Sequence, residues 1–170
     1  MYTMEGMQTN KIMFRKMRRF KQEISQNECI ELLTNEKRGV LSVIGDDGYP
    51  YGIPLNHYYD KENNCIYFHG AKEGHKVDAI TANNKVSYCV VEKGKKRENH
   101  WSYDVRSVIV FGKASFVTDL EECKRIGSAI WWKFGTDEKE LEEELRHSLS
   151  RVLCLRVDIE HMTGKIVNES

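Results

Sequence analysis

The 170-residue sequence has only two prolines, Pro50 and Pro54, and no CxxC pair among its five cysteines. It has no net charge either, since Lys+Arg and Asp+Glu both total 26. That balance removes any general attraction to nucleic acid or to a membrane surface. The longest apolar runs, such as Ser107 to Phe111, fall far short of the roughly 20 residues that span a bilayer. Lys11 to Lys21 carries six basic residues but no apolar core of signal-peptide length, so a cytoplasmic protein is expected. Cys29, Cys65, Cys89, Cys123 and Cys154 are odd in number and dispersed, which fits reduced, buried thiols better than a disulfide framework. No GxxxxGK[ST] is present, and no GxGxxG follows a strand, which argues against P-loop and Rossmann sites. Repeats and low-complexity tracts are also missing.

What is present suits one domain with its own core. Residues 1–16 are expected to form a flexible N-terminal arm and residues 17–170 a single domain. Ser25-Gln-Asn-Glu28 is a capping box that opens a short helix through Cys29, Ile30, Leu32 and Leu33. "RGVLSVIG" (38–45) predicts a strand, Asp46-Asp47-Gly48 a tight turn, and "YPYGIPLNHYYD" (49–60) the returning strand. The two prolines then belong at a strand start, edge or bulge. "CIYFHG" predicts a third strand, "HKVDAITAN" a helix and "KVSYCVVE" a fourth strand. After a polar loop, residues 105–117 predict the longest strand. Two helical segments flank Gly135, and "VLCLRVDIEHMTGKIV" closes the chain as one or two strands. Antiparallel hairpins with few crossovers imply a mainly β fold with flanking helices, in a closed or partly closed barrel.

The stretch "CIYFHGAKEGHKVDAI" (65–80) places two histidines, two lysines and two glycines between a strand and a helix. A helix beginning at about His75 offers free N–H groups and the positive end of its dipole. Gly70 and Gly74 allow close backbone approach, and Lys72, His75 and Lys76 add charge or donors. A phosphate monoester matches this density of donors; an exposed Lys/Gly turn is the plainer alternative. Metal binding by His57, His69 and His75 is another reading, but no carboxylate or cysteine completes a set at ligand spacing, and no metal is expected. The hydroxyl and aromatic groups of "GYPYGIPLNHYY" suit a planar heterocycle, or simply cap a half-buried strand. Arg106 and Ser107 either reach a ligand or border the loop. "WWKF" (131–134) suits core or dimer interface, and "DEKELEEELRH" a solvated surface helix.

Taken together, "RGVLSVIGDDGYPYGIPLNHYYD", "IYFHGAKEGHKVDAITANNKVSYCVVE" and "RSVIVFGKASFV" resemble the pyridoxamine 5′-phosphate oxidase-like flavoproteins, most closely the nitroimidazole-resistance (Nim-like) branch. The resemblance covers roughly residues 17–160. It implies an antiparallel FMN-binding split β-barrel of six to seven strands, working as a homodimer with FMN at the subunit interface. Lys72, Gly74, His75 and Lys76 would hold the FMN phosphate. Pro54, Leu55, Asn56 and His57 would run beside the isoalloxazine ring, His69 and Gly70 would line the cleft, and Arg106 and Ser107 would approach the cofactor. Two departures stand out. The chain ends "DIEHMTGKIVNES", without the Arg-rich, Pro-containing segment of authentic pyridoxamine phosphate oxidases, so vitamin B6 oxidation is not expected. His75 also stands where the family usually has arginine.

The implied activity is FMN-dependent reduction of a small electron acceptor such as a nitroaromatic, with NAD(P)H or another reductant as donor. His69 is the expected catalytic contact and Tyr58 its alternate. A non-catalytic flavin-binding, storage or sensor module remains the other reading, as does a split barrel using F420 or haem, because fold does not decide chemistry.

Overall fold

Ser25 opens the first helix as its spacing predicts. In the computed structural model, which describes residues 14–149 and 151–169, its Oγ accepts from the Glu28 N–H. The Glu28 carboxylate accepts in return from the Ser25 N–H at 2.8 Å. Helix α1 (Gln26–Asn35) then lays Cys29, Leu32 and Leu33 into the core. Strands β1 (Arg38–Ile44) and β2 (Pro50–Asn56) follow, joined by a turn in which Asp47 and Gly48 take positive φ, the backbone that Asp and Gly tolerate best. Pro50 begins β2, and β2 is a sheet edge, so neither proline interrupts a central ladder.

The returning strand expected over 49–60 is two strands. It breaks at His57, whose N–H turns to Lys37 O and whose ring enters the core. Strand β3 (Tyr58–Asp60) pairs instead with β4 (Cys65–Ala71). After α2 (His75–Ala82) come β5 (Lys85–Val91), a two-residue β6 (Lys95–Lys96) inside the expected loop, and β7 (Tyr103–Val117). Helices α3 (Leu120–Trp131) and α4 (Glu138–Ser148) precede β8 (Val152–Glu169). The longest strand is therefore β8, with 18 residues against 15 for β7. A bulge where Phe111 faces His161 and Gly112 faces Ile159 accommodates Glu160 and bends the pair.

All pairings are antiparallel, in the order β2-β1-β5-β7-β8-β4-β3 with β6 attached to β7. Among the described residues the sheet has eight strands, against six or seven expected, because short β3 and β6 add to the six long ones. It curls into a half-barrel whose two ends, β2 and β3, are joined in the chain through His57. Strand β4 is buried on both faces: Ile66 and Phe68 join the main core with α1, while Cys65 and Tyr67 join a smaller cluster under α3. That explains why "CIYF" reads as an unbroken apolar run. All five cysteines are free, and burial pushes the Cys29 thiol up to about 11 and the Cys154 thiol to about 12, which makes them poor nucleophiles.

Most of the expected arm, residues 1–13, lies outside the described residues. Phe14 is fixed, stacked on His161 at 4.5 Å between ring centroids and on Phe111 at 5.7 Å. Among the described residues, no helix is long and apolar enough to cross a membrane.

Candidate functional site

The alternation that buries Phe68 turns His69 outward at the end of β4. One residue on, a Cβ at Gly70 would stand 2.5 Å from Lys76 Nζ, so glycine leaves room for the lysine to lie across the strand. Burial draws the Lys76 pKa below its ordinary value. The His69 pKa is also lowered, first by burial and then by the Lys76 charge, with Glu144 opposing.

Gly74 has φ 117°, ψ 171°, a backbone costly for any residue with a Cβ. It delivers the chain into α2 with no side chain capping the helix. By contrast, Ser25, Asp119 and Asp137 cap α1, α3 and α4. The Val77 N–H turns back to Gly74 O at 2.8 Å, so the first-turn donors of α2 left without a cap are the N–H groups of His75 and Lys76, beside the Lys76 side chain and the exposed Lys72.

His75 is engaged elsewhere. Its ring stacks on Tyr51 (4.3 Å between centroids, 13° between planes), and Nε2 lies 3.4 Å from the Asp46 N–H and 3.6 Å from Asp46 Oδ2. What His75 offers the turn is its backbone N–H rather than its ring.

His57 departs most from the expected site. Its side chain is fully buried, with Nε2 2.7 Å from Leu33 O and Nδ1 2.9 Å from the Tyr88 hydroxyl. Burial, followed by the charge of Lys133, lowers its pKa to about 4. The ring is a neutral core group, the N–H is turned to Lys37 O, and the residue presents no exposed surface to a ligand. Among the described residues no three His, Cys, Asp or Glu side chains could hold a metal ion together.

Arg106 is committed as well. Its guanidinium donates twice to the Glu92 carboxylate (2.9 and 3.1 Å) and once to Glu31 (3.4 Å). Ser107 sits between Val91 and Lys165 in the sheet. Within one chain, neither joins the β4–α2 turn. Tyr58 stacks with Tyr67 at 6.4 Å, on the smaller core cluster.

Sequence reasoning missed a pocket of about 250 Å³ into which His69 and Asn56 open. Its far walls are Trp131 and Phe134 at the end of α3, and Leu141 and Glu144 of α4. Trp131 Nε1–H is buried and finds no acceptor among the described residues. The signal lay in two ridges, Trp131/Phe134 and Leu141/Leu145, at helical spacing on either side of Gly135. A larger hollow of about 430 Å³, between Phe14 and the outer face of β1, β5 and β7, takes in none of the expected site residues.

The sequence profile of the family described as pyridoxamine 5′-phosphate oxidase matches residues 25–166. The chain belongs to this family. Three solved structures share the fold of this member of the pyridoxamine 5′-phosphate oxidase family. A candidate 5-nitroimidazole antibiotic resistance protein from Bacteroides thetaiotaomicron superimposes with a TM-score of 0.72 at 24% identity, over 86% of this chain and 87% of that one. An FAD-binding protein from Mesorhizobium loti gives 0.63 at 26% identity, over 86% and 97%. An FAD-binding protein from Mycobacterium smegmatis gives 0.55 at 23%, over 86% and 98%. No curated protein matches the chain. The matched span of the family profile runs from α1 into β8 and contains the whole β4–α2 turn.

Proposed function

We propose that this protein binds FMN and is an oxidoreductase that reduces a small acceptor such as a nitroaromatic. The observation that carries the reading is the uncapped N-terminus of α2, with Lys76 laid across Gly70 beside it. Helix N–H groups and two lysines suit the phosphate of a flavin mononucleotide. The free edge of β2 at Pro54, Leu55 and Asn56 offers backbone donors and acceptors to the polar rim of a flat ring. When bound, FMN supplies the electron transfer, and the protein contributes position, electrostatics and exclusion of water. Lys72 and Lys76 hold the phosphate, while His69, held toward its neutral form, is the hydrogen-bonding contact for the acceptor. Solved relatives described as FAD-binding support a flavin on this fold.

The same reading makes the protein a homodimer. Val40, Ile44, Val91, Ile109 and Phe111 are each 39–52% exposed along the outer edges of β1, β5 and β7. An apolar face of this kind is characteristic of a surface that another chain covers. A second copy there also gives Arg106 and Ser107 a route toward a cleft they do not reach within their own chain.

An absorbance spectrum of the purified protein, followed by acid release of any chromophore, tests the cofactor. Flavin bands with FMN in the extract are expected. A colourless protein that also ignores added FMN would sink the reading. Bound flavin that NAD(P)H or dithionite reduces, but that no nitroaromatic reoxidises, would leave a binding or storage role. Light scattering on the same sample is expected to give twice the 19.9 kDa chain mass; a monomer would remove the dimer.

A further inference from the structure

We infer that the pocket between β4 and the α3–α4 pair is the acceptor subsite, and that it selects neutral or cationic single-ring aromatics and rejects anionic ones, with Glu144 setting the preference. The inference rests on the flavin reading for its role, but not for its binding test.

The size, walls and charge of the pocket point the same way. About 250 Å³ lies below the range of drug-sized sites and suits a single substituted ring. Trp131 and Phe134 supply an aromatic wall against which a ring can pack. The polar groups are few. Asn56 Oδ1 accepts from Arg38 Nε at 2.7 Å, which leaves the Asn56 amide N–H groups as donors for a nitro or carbonyl oxygen. His69 and Ser148 add hydrogen-bonding groups, and among the described residues Glu144 is the one acidic side chain in the lining.

Several cations stand nearby, but among the described residues none lines the pocket. Lys37 and Arg38 lie over the Phe134 ring at 5.0 and 5.9 Å, and Lys133 Nζ donates to Glu36 O at 2.6 Å. Lys76, assigned above to a phosphate, would be neutralised by it. A carboxylate on the ligand would therefore meet Glu144 with no lining cation to answer it, whereas an ammonium would meet a partner.

The division of charge is also functional. The cofactor's phosphate is drawn to the lysine turn at the end of β4, and the acidic α4 wall keeps small anions from competing for the ring face.

Three probes that share one ring test this by titration calorimetry: 4-nitrobenzylammonium, 4-nitrobenzyl alcohol and 4-nitrobenzoate, each with flavin-free and FMN-loaded protein at low salt. With FMN loaded, the ammonium is expected to bind about tenfold more tightly than the carboxylate, with the alcohol between; the gap should be smaller in the flavin-free protein, where Lys76 keeps its charge, and should narrow as salt rises. Glu144→Gln should erase the ranking and Glu144→Lys should reverse it, in variants whose circular dichroism matches the parent. Equal affinity for carboxylate and ammonium, or a ranking unmoved by Glu144→Gln, overturns the inference. So does one-for-one displacement of the probe by FMN, which would give the pocket to the isoalloxazine ring. If no flavin binds yet the charge ranking appears in the flavin-free protein, the pocket's selectivity stands and the cofactor reading falls alone.

Discussion

Replacing Lys76 with alanine is expected to weaken FMN binding by one to two orders of magnitude while leaving riboflavin binding almost unchanged. Riboflavin has the same ring and ribityl chain but no phosphate, so the comparison isolates the group that Lys76 is assigned to hold. A charge-assisted hydrogen bond to a phosphate oxygen contributes roughly 2 kcal/mol, which corresponds to about 30-fold in affinity. Lys76 should sit at or above that figure because it is partly buried and its pKa is already depressed by desolvation. An anionic partner would restore the favourable environment its charge lacks. Lys72→Ala should have a smaller effect, because that side chain is exposed. Equal losses for FMN and riboflavin would mean that Lys76 supports the cleft rather than the phosphate. No loss for either would remove the β4–α2 turn from the site.

The second large effect concerns acid. Between pH 6.5 and about 4 the protein should lose roughly 3 kcal/mol of folding stability through His57 alone. The folded-state pKa of this residue is lowered from 6.5 to about 4 by burial and by Lys133. In that window the unfolded chain binds a proton that the native state refuses, so stability is complete above pH 6.5 and falls as the pH drops toward 4. The cause is desolvation and not a shortage of partners. A protonated His57 could donate from Nε2 to Leu33 O and from Nδ1 to the Tyr88 oxygen, freeing the Tyr88 O–H for Leu55 O at 3.1 Å. In the neutral state the single Tyr88 proton must choose between His57 Nδ1 and Leu55 O. Urea unfolding at pH 4.7 and 7.0 measures the effect, and the His57→Leu variant separates it from that of the carboxylates, whose ordinary values of about 4 lie close to the lower pH. His57→Leu should be less stable at pH 7, because Leu33 O loses its donor, and should show a flatter dependence over the same interval. A slope unchanged in His57→Leu would assign the acid sensitivity to other groups, with His69 the first to test because its pKa is also lowered.

His57 also shows where local sequence stops being informative. Residues 49–60 form one uninterrupted stretch of aromatic and β-compatible types, and nothing within them marks a break. The break comes from Leu33 O and the Tyr88 hydroxyl, more than twenty residues away on either side. The capping box at Ser25, the Asp-Gly turn and the Gly-Lys turn into α2 were legible because each is a local solution to a local problem: an orphan N–H, a positive φ, a helix start. Arg106 was legible as a charged residue at a strand start but not in its allegiance, because Glu92 and Glu31 reach it only after β5, β7 and α1 have come together. The wall of Trp131, Phe134, Leu141 and Glu144 was hidden for the same reason. Each half has an ordinary explanation by itself, and they become a pocket only where α4 folds back on α3, with Leu145 set close against Gly127.

The order of strands bears on how the chain is made. Strand β8 follows every other strand of the sheet in the chain, yet it lies in the interior, between β7 and β4. Until residues 152–169 are available, β2-β1-β5-β7 and β4-β3 are separate pieces, each with an unpaired strand at the edge that β8 will fill. Pairings such as Cys65 with Asp158 close very long loops, so assembly should be slow and should finish only once β8 has been made. During that interval the nascent chain displays two open β edges, the surface most prone to pairing with a neighbouring copy. Loss of the C-terminal strand would therefore do more than shorten the protein. It would leave two adhesive half-sheets, and a chain released early is one that cellular quality control must remove before it aggregates.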